Sequence, residues 1–290
     1  MDDVARYNTD RWDRLNQVNA LFTRPHLDLD AESARQQLDP DGRLGDVSGR
    51  RVLCLAGGGG RQSVAFALLG ADVTVLDLSE AKLRRDRETT VHYNVAMRIE
   101  QDDMRDLSRF DDASFDLVWH PYTINFVPNA RVVFRQVARI MRTSGKYTVM
   151  CANPFTSGLT TQDWTGNGYL LKRPYTDGAE ITYEDEPWVY RHVEGADSVQ
   201  PPREYRHTLN TMINGLAETG FVILNVTEHT HGQPEAEPGS WEHFTTFAPP
   251  WFTFWTTYNP DALHVSSPLG LEDQYRAMKA DRERTADATW

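Results

Sequence analysis

The feature that most constrains this 290-residue chain is an apolar run at 52–55 that leads, through one alanine, into four consecutive glycines at 57–60. Glycine has no Cβ, so the main chain can turn sharply at a strand end and approach a ligand closely. A second apolar run ends at Asp77, about 20 residues past the first glycine, which is the spacing of a Rossmann-type nucleotide site. This order of strand, loop, helix, strand and acid predicts an α/β fold that binds an adenosine-containing cofactor.

The residues around the glycines discriminate between two cofactors. A dinucleotide fingerprint built on Gly57 and Gly59 needs glycine or alanine at position 62, where this chain has Gln62. A pyrophosphate also needs a helix N-terminus free of bulky side chains, whereas Arg61 and Gln62 suit a carboxylate or an amino group. S-adenosylmethionine therefore fits the loop better than NAD, and Asp77 is expected to accept hydrogen bonds from the ribose hydroxyls.

Composition narrows the class of partner. The formal net charge of -12 repels phosphate backbones, so nucleic acid is an improbable substrate and a small molecule is favoured. The N-terminus lacks the basic and apolar regions of a secretion signal, and no apolar run approaches the roughly 20 residues that span a bilayer. We therefore expect a cytoplasmic protein that does not insert into membranes. Cys54 and Cys151 lie in apolar strand patterns and are expected to be buried rather than disulfide-bonded.

Strand and helix patterns alternate along the core, which predicts a parallel sheet. Five strands are expected by position 152, and two more at 221–227 and 251–257 complete a seven-stranded, mostly parallel Rossmann-like sheet with helices on both faces. Helices at 30–38 and 79–95 are expected to be capped by Asp30 and Ser79. The fifth strand is expected at 146–151, after a turn at 142–145. Outside the sheet, strand fragments are expected at 169–171 and 188–191 and a helix at 271–284. The predicted regions are a helical lid at 1–49, a cofactor-binding core at 50–152, a β-rich inserted substrate cap at 153–204, the completion of the sheet at 205–260 and a tail at 261–290.

Four segments resemble the motifs of class I S-adenosylmethionine-dependent methyltransferases, of the methyltransferase type 11-like kind that acts on small molecules. They lie at 52–60, 73–77, 101–107 and 115–122, and the segment at 132–147 is similar to the fifth helix, turn and strand of that family. The resemblance covers residues 50–152. It implies methyl transfer from S-adenosylmethionine to an oxygen, nitrogen or carbon nucleophile of a small-molecule acceptor.

The resemblance also implies which residues hold the cofactor. Asp103 would accept from the adenine amino group, Met104 would offer its main-chain amide and Leu78 would cover the other face of the ring. The N-terminal segment resembles a lid over the methionine end, where Thr23 or Arg24 could meet the carboxylate. The complete set of expected cofactor-binding residues is Ala56, Gly57, Gly58, Gly59, Gln62, Asp77, Leu78, Asp103, Met104, Trp119, His120, Thr23 and Arg24.

Catalytic candidates follow the fourth core strand, because ligands gather at the carboxyl ends of strands in open α/β sheets. His120 is the first candidate for a general base, since histidine titrates near neutrality; it could equally hydrogen-bond the cofactor or cap the strand. Tyr122 and Asn125 could orient the substrate or simply pack the loop. The sequence His120-Pro121-Tyr122 lacks the acid or amide and the second proline of adenine-methylating enzymes, which again disfavours a nucleic-acid base.

Several alternatives remain open at this point. The chain could be a sensor that binds the cofactor without transferring a methyl group, or an NAD-dependent oxidoreductase, and it could form a homodimer. A metal site is not expected, because the pattern His229-Thr-His231 with His243 lacks supporting carboxylates. In the aromatic segment at 241–255, three rings are expected in the core and two outside the final strand could line a pocket or an oligomer contact. The core rings are Phe252, Phe254 and Trp255, and the other two are Phe244 and Phe247.

Overall fold

A computed structural model describes residues 1–182, 199–230 and 232–264, and its centre is a seven-stranded sheet. The strands are β1 (Arg51–Leu55), β2 (Asp72–Asp77), β3 (Met97–Gln101), β4 (Phe115–His120), β5 (Met141–Ala152), β8 (Phe221–Glu228) and β9 (Trp251–Tyr258). Their order in the sheet is β3-β2-β1-β4-β5-β9-β8. The first five are joined by parallel pairs, and β9 runs antiparallel to both of its neighbours. The predicted seven-stranded, mostly parallel Rossmann-like sheet is confirmed.

Helices cover both faces of this sheet. They are α1 (Asp3–Gln17), α2 (Ala31–Leu38), α3 (Gln62–Leu68), α4 (Glu80–Tyr93), α5 (Ala130–Ile140), α6 (Leu209–Ala217) and α7 (Trp241–Phe247). Asp30 and Ser79 cap α2 and α4 through side-chain oxygens that accept backbone N–H groups, as the sequence predicts. The short α7 is a difference, since its aromatic residues were expected to lie simply outside the last strand.

The core divides into two clusters, one on each side of the sheet. Phe134 of α5 and Tyr147 of β5 are fully buried in the larger cluster, which α5 and α6 cover. Phe66 of α3 and Leu83 of α4 are fully buried in the other, beneath α2, α3 and α4. Truncating any such phenylalanine to alanine typically costs about 3 to 5 kcal/mol. The two clusters fix the sheet and hold the carboxyl ends of β1, β2 and β4 at one edge.

The structure corrects one boundary of the core. Strand β5 begins at Met141, five residues before the predicted start, because Met141 pairs with Phe115 directly after α5 ends. The predicted turn at 142–145 is therefore an irregular part of the strand, where Ser144 has a φ of 65° and the register shifts before Leu117 pairs with Lys146. The strand gains this early pairing without losing its later parallel contacts with β4.

The segments outside the sheet follow the predictions in part. A two-stranded antiparallel hairpin of β6 (Glu180–Thr182) and β7 (Arg203–Tyr205) lies within the insertion. The strand fragment expected at 169–171 is reduced to a single bridge between Trp164 and Tyr169. The fragment expected at 188–191 and the tail helix expected at 271–284 lie outside the described residues. No helix in the described ranges is both long and apolar enough to cross a membrane.

Candidate active site

The glycine loop lies between β1 and α3 and is shaped by its protein neighbours. Ala56, Gly59 and Gly60 have φ values of 50°, 123° and 64°, a region that side chains disfavour. A Cβ on Gly60 would lie 2.7 Å from Thr89 Cγ2 and 2.8 Å from a main-chain oxygen of α4. A Cβ on Gly58 would lie 3.0 Å from the side chain of Asp77. The glycines therefore let the loop pack against α4 and the end of β2.

Asp86 of α4 holds this loop and is a residue that the sequence analysis missed. Its carboxylate oxygens accept the N–H groups of Gly59 at 2.8 Å and Gly60 at 3.0 Å, and the hydroxyl of Ser63 at 2.5 Å. The side chain is fully buried, and burial raises the pKa of Asp86 to about 6. The sequence did carry a signal for this residue, because Asp86 is an acid on the buried face of α4, between Leu83 and Thr89.

Asp77 is nearly buried, and its carboxylate already has protein partners. Oδ2 accepts the N–H of Gly58 at 3.0 Å and lies 3.5 Å from Lys82 Nζ, while Oδ1 accepts the N–H of Ser79 at 3.0 Å. The Lys82 ammonium also lies 4.3 Å from the ring centroid of Trp12 on α1. Asp77 is therefore oriented at the strand end, with Lys82 beside the oxygen that a ribose hydroxyl would approach.

A small cavity of about 30 Å³ lies beside Asp77, between the sheet edge and α1. The predicted residues that line it are Ala56, Asp77, Leu78, Asp103 and Met104. Its roof is formed by α1 through Val4, Ala5, Asn8 and Trp12. The space holds about two water molecules.

Asp103 is held by an arginine rather than left available. Arg105 donates to both carboxylate oxygens of Asp103, with Nη2 at 2.5 Å from Oδ2, and Arg105 Nη1 lies 2.6 Å from Asp2 Oδ2. Asp2 also caps α1 by accepting the N–H of Ala5 at 2.9 Å. The Arg105 guanidinium lowers the pKa of Asp2 well below its usual range. Arg105 thus ties the start of α1 to the loop after β3.

A large cavity of about 440 Å³ adjoins the small one, and Trp12, Lys82, Thr123 and Phe126 line both. The predicted residues Gly57, Gly58, Gln62 and Tyr122 line the large cavity. Its outer walls are mostly apolar and include Met150, Leu159, Trp241, Phe244, Pro250 and Trp251. Small-ligand sites have this character of apolar walls with few polar groups. Phe244 therefore lines a pocket, as one of its two predicted roles, whereas Phe247 is mostly exposed.

Arg61 is a cation that lines the large cavity at the end of the glycine loop. Its Nη1 donates to the carbonyl of Phe22 at 3.2 Å, and its buried Nε has no hydrogen-bond partner among the described residues. Burial lowers the pKa of the Arg61 guanidinium. A buried donor without a partner is costly to a folded chain, so Arg61 is suited to an anionic group entering the cavity.

His120 lies in the core and lines neither cavity. Its imidazole is 1% exposed, and Nδ1 lies 2.9 Å from the hydroxyl of Tyr147. Burial lowers the pKa of His120 to about 3, so the ring is neutral at physiological pH. The general-base role expected from the sequence is not supported by this position, because Nδ1 contacts the Tyr147 hydroxyl in the core and the ring lines neither of the two cavities described.

Five other predicted residues also line neither cavity, and one of them is Gly59, whose N–H donates to Asp86. The Asn125 side chain donates to the carbonyl of Tyr205 at 2.9 Å and accepts the N–H of Ala152 at 2.8 Å. Thr23 is fully buried and donates to the carbonyl of Ala20 at 2.7 Å. The remaining two are Trp119, which packs edge-on against Phe66 and Trp255, and Arg24, which is exposed and donates to the carbonyl of Asn19. These side chains support the fold around the site.

Tyr122 points its hydroxyl at an acid that the sequence did not single out. Tyr122 Oη donates to Glu204 Oε2 at 2.8 Å, and both residues line the large cavity. Glu204 is in β7 and is 7% exposed. Its only sequence signal was its position between Arg203 and Tyr205 in a short strand, where alternation turns it to the opposite side of the hairpin.

The histidines weighed as metal ligands have other partners. His243 Nδ1 lies 2.8 Å from the Tyr169 hydroxyl, and His229 Nε2 lies 2.8 Å from the Thr253 hydroxyl. His231 is outside the described residues. Within the described ranges, no three histidine, cysteine or acidic side chains come close enough to hold a metal ion.

Comparisons with known proteins agree with this geometry. A family model described as a methyltransferase domain matches residues 53–149. The uncharacterized methyltransferase YbaJ of Bacillus subtilis is 31% identical over 188 residues, which are 64% of this chain and 71% of YbaJ. A ubiquinone biosynthesis O-methyltransferase of Xanthomonas oryzae pv. oryzae is 28% identical over 53% of this chain and 60% of its own length. The crystal structure of an S-adenosylmethionine-dependent methyltransferase from Mesorhizobium loti superposes with a TM-score of 0.57 at 24% identity, covering 80% of this chain and 100% of that one.

Proposed function

Because the chain belongs to the class I S-adenosylmethionine-dependent methyltransferases, we propose that it methylates a small-molecule acceptor bound in the large cavity. The observation that carries this proposal is the junction of the two cavities at the glycine loop. The small cavity borders the residues expected for adenosine, and the large cavity continues past Gly57 and Gly58 into aromatic walls. A cofactor lying across the junction directs its methyl group into the large cavity.

On this proposal, the adenosine half of the cofactor is bound by the strand ends. Asp77 accepts the ribose hydroxyls after Lys82 has moved aside, and Leu78 and Met104 enclose the adenine ring. Asp103 accepts from the adenine amino group while Arg105 holds its carboxylate in place. Enclosing the ring requires an outward movement of α1, which breaks the contact from Arg105 to Asp2 and the edge-on packing of Trp12 against Phe22 and Phe126.

The methionine half then lies against the start of α3. Arg61 is proposed to bind the carboxylate, because its buried Nε lacks a partner and a bidentate guanidinium matches carboxylate geometry. Gln62 lines the same cavity and can accept from the amino group. This assignment replaces the expectation for Thr23 and Arg24, whose side chains bond within the lid segment.

The reaction requires alignment more than chemistry from the protein. The sulfonium cofactor supplies an electrophilic methyl group, which an acceptor atom attacks in line with the leaving sulfur. Gly57 and Pro121 form adjoining parts of the wall of the large cavity, since a Cβ on Gly57 would lie 3.6 Å from Pro121 Cδ. The apolar rings beyond Tyr122 exclude water and hold a flat acceptor close to that wall.

The test is transfer of a radiolabelled methyl group from S-adenosylmethionine to separated fractions of a cell extract. Label in the low-mass fraction supports the proposal, and label confined to protein or RNA contradicts it. Tight binding of S-adenosylhomocysteine without transfer to any fraction would favour the sensor alternative. Arg61→Gln serves as the matched variant, because it is expected to weaken cofactor binding about tenfold or more through loss of a charge-assisted bond.

A further inference from the structure

The Tyr122–Glu204 pair in the wall of the large cavity has no role in binding the cofactor. We propose that Glu204 receives the proton of an acceptor hydroxyl, and therefore that the acceptor is a hydroxyl-bearing aromatic molecule. This inference rests on the proposed function. Among the described residues that line the large cavity, Glu204 is the one carboxylate, and neither histidine nor cysteine is among them.

The fold holds Glu204 in position from both sides. On the outer side of the hairpin, Arg203 Nε lies 2.8 Å from Glu180 Oε1. On the inner side, Asn125 donates to the carbonyl of Tyr205, and His207 Nε2 lies 3.0 Å from the carbonyl of Ile124. These bonds join β7 to the segment that follows Tyr122, so the carboxylate and the phenol keep their 2.8 Å contact. Asn125 is therefore a positioning residue.

The cavity walls define the rest of the acceptor. Tyr122 packs edge-on against Phe126 and lies 6.2 Å, between ring centroids, from Trp251. Trp241 lies beside Trp251 with its ring tilted and the ring centroids 5.7 Å apart. Aromatic side chains arranged in this way favour another ring by offset or edge-to-face contact. A flat ring between these walls places its hydroxyl toward Tyr122 and Glu204.

A hydroxyl needs a base because the ether that it forms carries no hydroxyl proton. The hydroxyl oxygen forms a bond to the methyl carbon as the carbon–sulfur bond breaks, and the sulfur keeps the electron pair of that bond. The proton passes from the hydroxyl to the Glu204 carboxylate, directly or through the Tyr122 hydroxyl. The products are a methyl ether, S-adenosylhomocysteine and a protonated Glu204, which later releases its proton to solvent.

The cations of the cavity offer the competing arrangement. Arg11, Arg61 and Lys82 also line it, and they would favour an acceptor that arrives already ionised. Lys82 is paired with Asp77, and Arg11 donates to the carbonyl of Gln200, four residues before Glu204. The protonation state of a bound phenol therefore shows whether Glu204 or the cations determine how the acceptor binds.

The experiment uses 4-nitrophenol, whose anion absorbs visible light and whose neutral form does not, titrated into the protein saturated with S-adenosylhomocysteine. The wild-type protein is expected to bind the neutral phenol about tenfold more tightly than the phenolate, which raises the apparent pKa of the bound probe. Glu204→Gln is expected to reduce this preference to less than about threefold, and Tyr122→Phe to reduce it in part. Glu235→Gln, at an exposed position outside the large cavity, is the control and should retain it.

Preferential binding of the phenolate would overturn the proposal, as would an unchanged preference in Glu204→Gln or a failure of the probe to bind. Calorimetric binding of S-adenosylhomocysteine is measured on every variant and should be unchanged, which also shows that each variant is folded. If the wild-type protein does not bind S-adenosylhomocysteine, the proposed function itself fails, and that result is distinct from a negative result with the phenol.

Discussion

At the scale of single residues, the site is built from carboxylates that already have protein partners. Asp77 bonds Gly58 and Ser79, while Asp86 bonds the next two glycines of the loop. Charged acceptors of backbone N–H groups hold a loop more firmly than neutral ones. The glycine loop is therefore bonded to both acids before a ligand arrives. Mutation can separate the effect of Asp77 on cofactor affinity from the effect of Asp86 on the free energy of unfolding.

Asp77→Ala is expected to weaken binding of S-adenosylhomocysteine about 10- to 100-fold. The substitution removes a charge-assisted contact worth roughly 1.5 to 3 kcal/mol and also leaves Lys82 without its partner at the cavity. Isothermal titration calorimetry measures the change. Asp72→Ala, at the exposed start of the same strand, is the control and should bind normally. An unchanged affinity in Asp77→Ala would remove this residue from the cofactor site.

Asp86 is expected to make the free energy of unfolding depend on pH. Burial raises the pKa of Asp86 to about 6 in the folded chain, above the ordinary aspartate value of 3.8. Between these two pH values the folded chain therefore binds more protons than the unfolded chain. The stabilising contribution is therefore complete below about pH 4 and is lost as the pH rises through about 6, a change of about 3 kcal/mol. Urea unfolding of wild type and Asp86→Asn from pH 4 to 7.5 should show their stability difference falling across that window.

The control for this titration is Asp111→Asn, because Asp111 is exposed and the substitution should leave the pH dependence as in wild type. A wild-type curve parallel to that of Asp86→Asn would contradict the assignment. The stabilisation by Asp86 is lost as the pH rises, whereas the stabilisation by an acid in a surface ion pair is lost as the pH falls.

Sequence spacing predicted which residues lie at the strand ends more readily than how their side chains are oriented. Glycines and strand-end acids such as Asp77 are constrained by backbone geometry, which sequence spacing reports. The orientation of His120 and Asn125 depends on which side of the strand end faces the core, and a single sequence carries no signal for that choice. Glu204 lies about 80 residues after Tyr122, so their contact is a product of tertiary structure.

At the scale of elements, α1 is the part of the molecule on which access to the site depends. It packs against α4, and Asp13 accepts a bond from the Ser79 hydroxyl at 2.5 Å. Arg105 attaches its first residues to the loop after β3. Both attachments are polar, but the helix also buries Ala5 and Leu15 and packs Trp12 edge-on against Phe22 and Phe126, so lifting it exposes apolar surface.

Arg105→Ala is expected to increase hydrogen exchange in α1, by about tenfold at its first turns, because the start of the helix loses its link to Asp103. Exchange in α5 should be unchanged. Amide exchange measured by mass spectrometry reports both helices in one experiment. Arg135→Ala, at an exposed position of α5, is the control. Equal protection of α1 in wild type and variant would mean that this ion pair does not restrain the helix.

Element boundaries were predictable where a cap or an alternating pattern marks them. Asp30 and Ser79 begin α2 and α4 at the expected positions. The start of β5 was missed because Met141 follows α5 without a break and joins the sheet through a long-range pair with Phe115. Helix α7 was missed because aromatic residues have similar propensities for helix and strand in such short segments.

At the scale of the whole molecule, the alternation of strands and helices predicted the seven-stranded sheet. Parallel strands need crossover helices, and right-handed connections leave few possible orders. The last strand, β9, lies between β5 and β8 and runs antiparallel to both. The cap could not be predicted in the same way, because short strands such as β6 depend on contacts across the insertion rather than on a local pattern.

Cofactor binding should stabilise the whole fold, since the site joins the lid segment, the glycine loop and the sheet edge. S-adenosylhomocysteine at 100 times its dissociation constant is expected to raise the free energy of unfolding by about 2.7 kcal/mol. NADH at the same concentration should have no effect. Chemical denaturation with each ligand measures both. Stabilisation by NADH without stabilisation by S-adenosylhomocysteine would revive the oxidoreductase alternative.

The bonds that join the lid segment to the glycine loop bear on which step limits the rate of turnover. His26 donates its N–H to the carbonyl of Gly60, Arg61 donates to Phe22, and α1 roofs the small cavity. If the cofactor binds as proposed, these contacts break and re-form each time one cofactor molecule is exchanged for the next. Enzymes that reopen in this way are often limited by product escape. We therefore expect an initial burst of one methylated product per chain, followed by a slower steady rate set by the reopening of the lid.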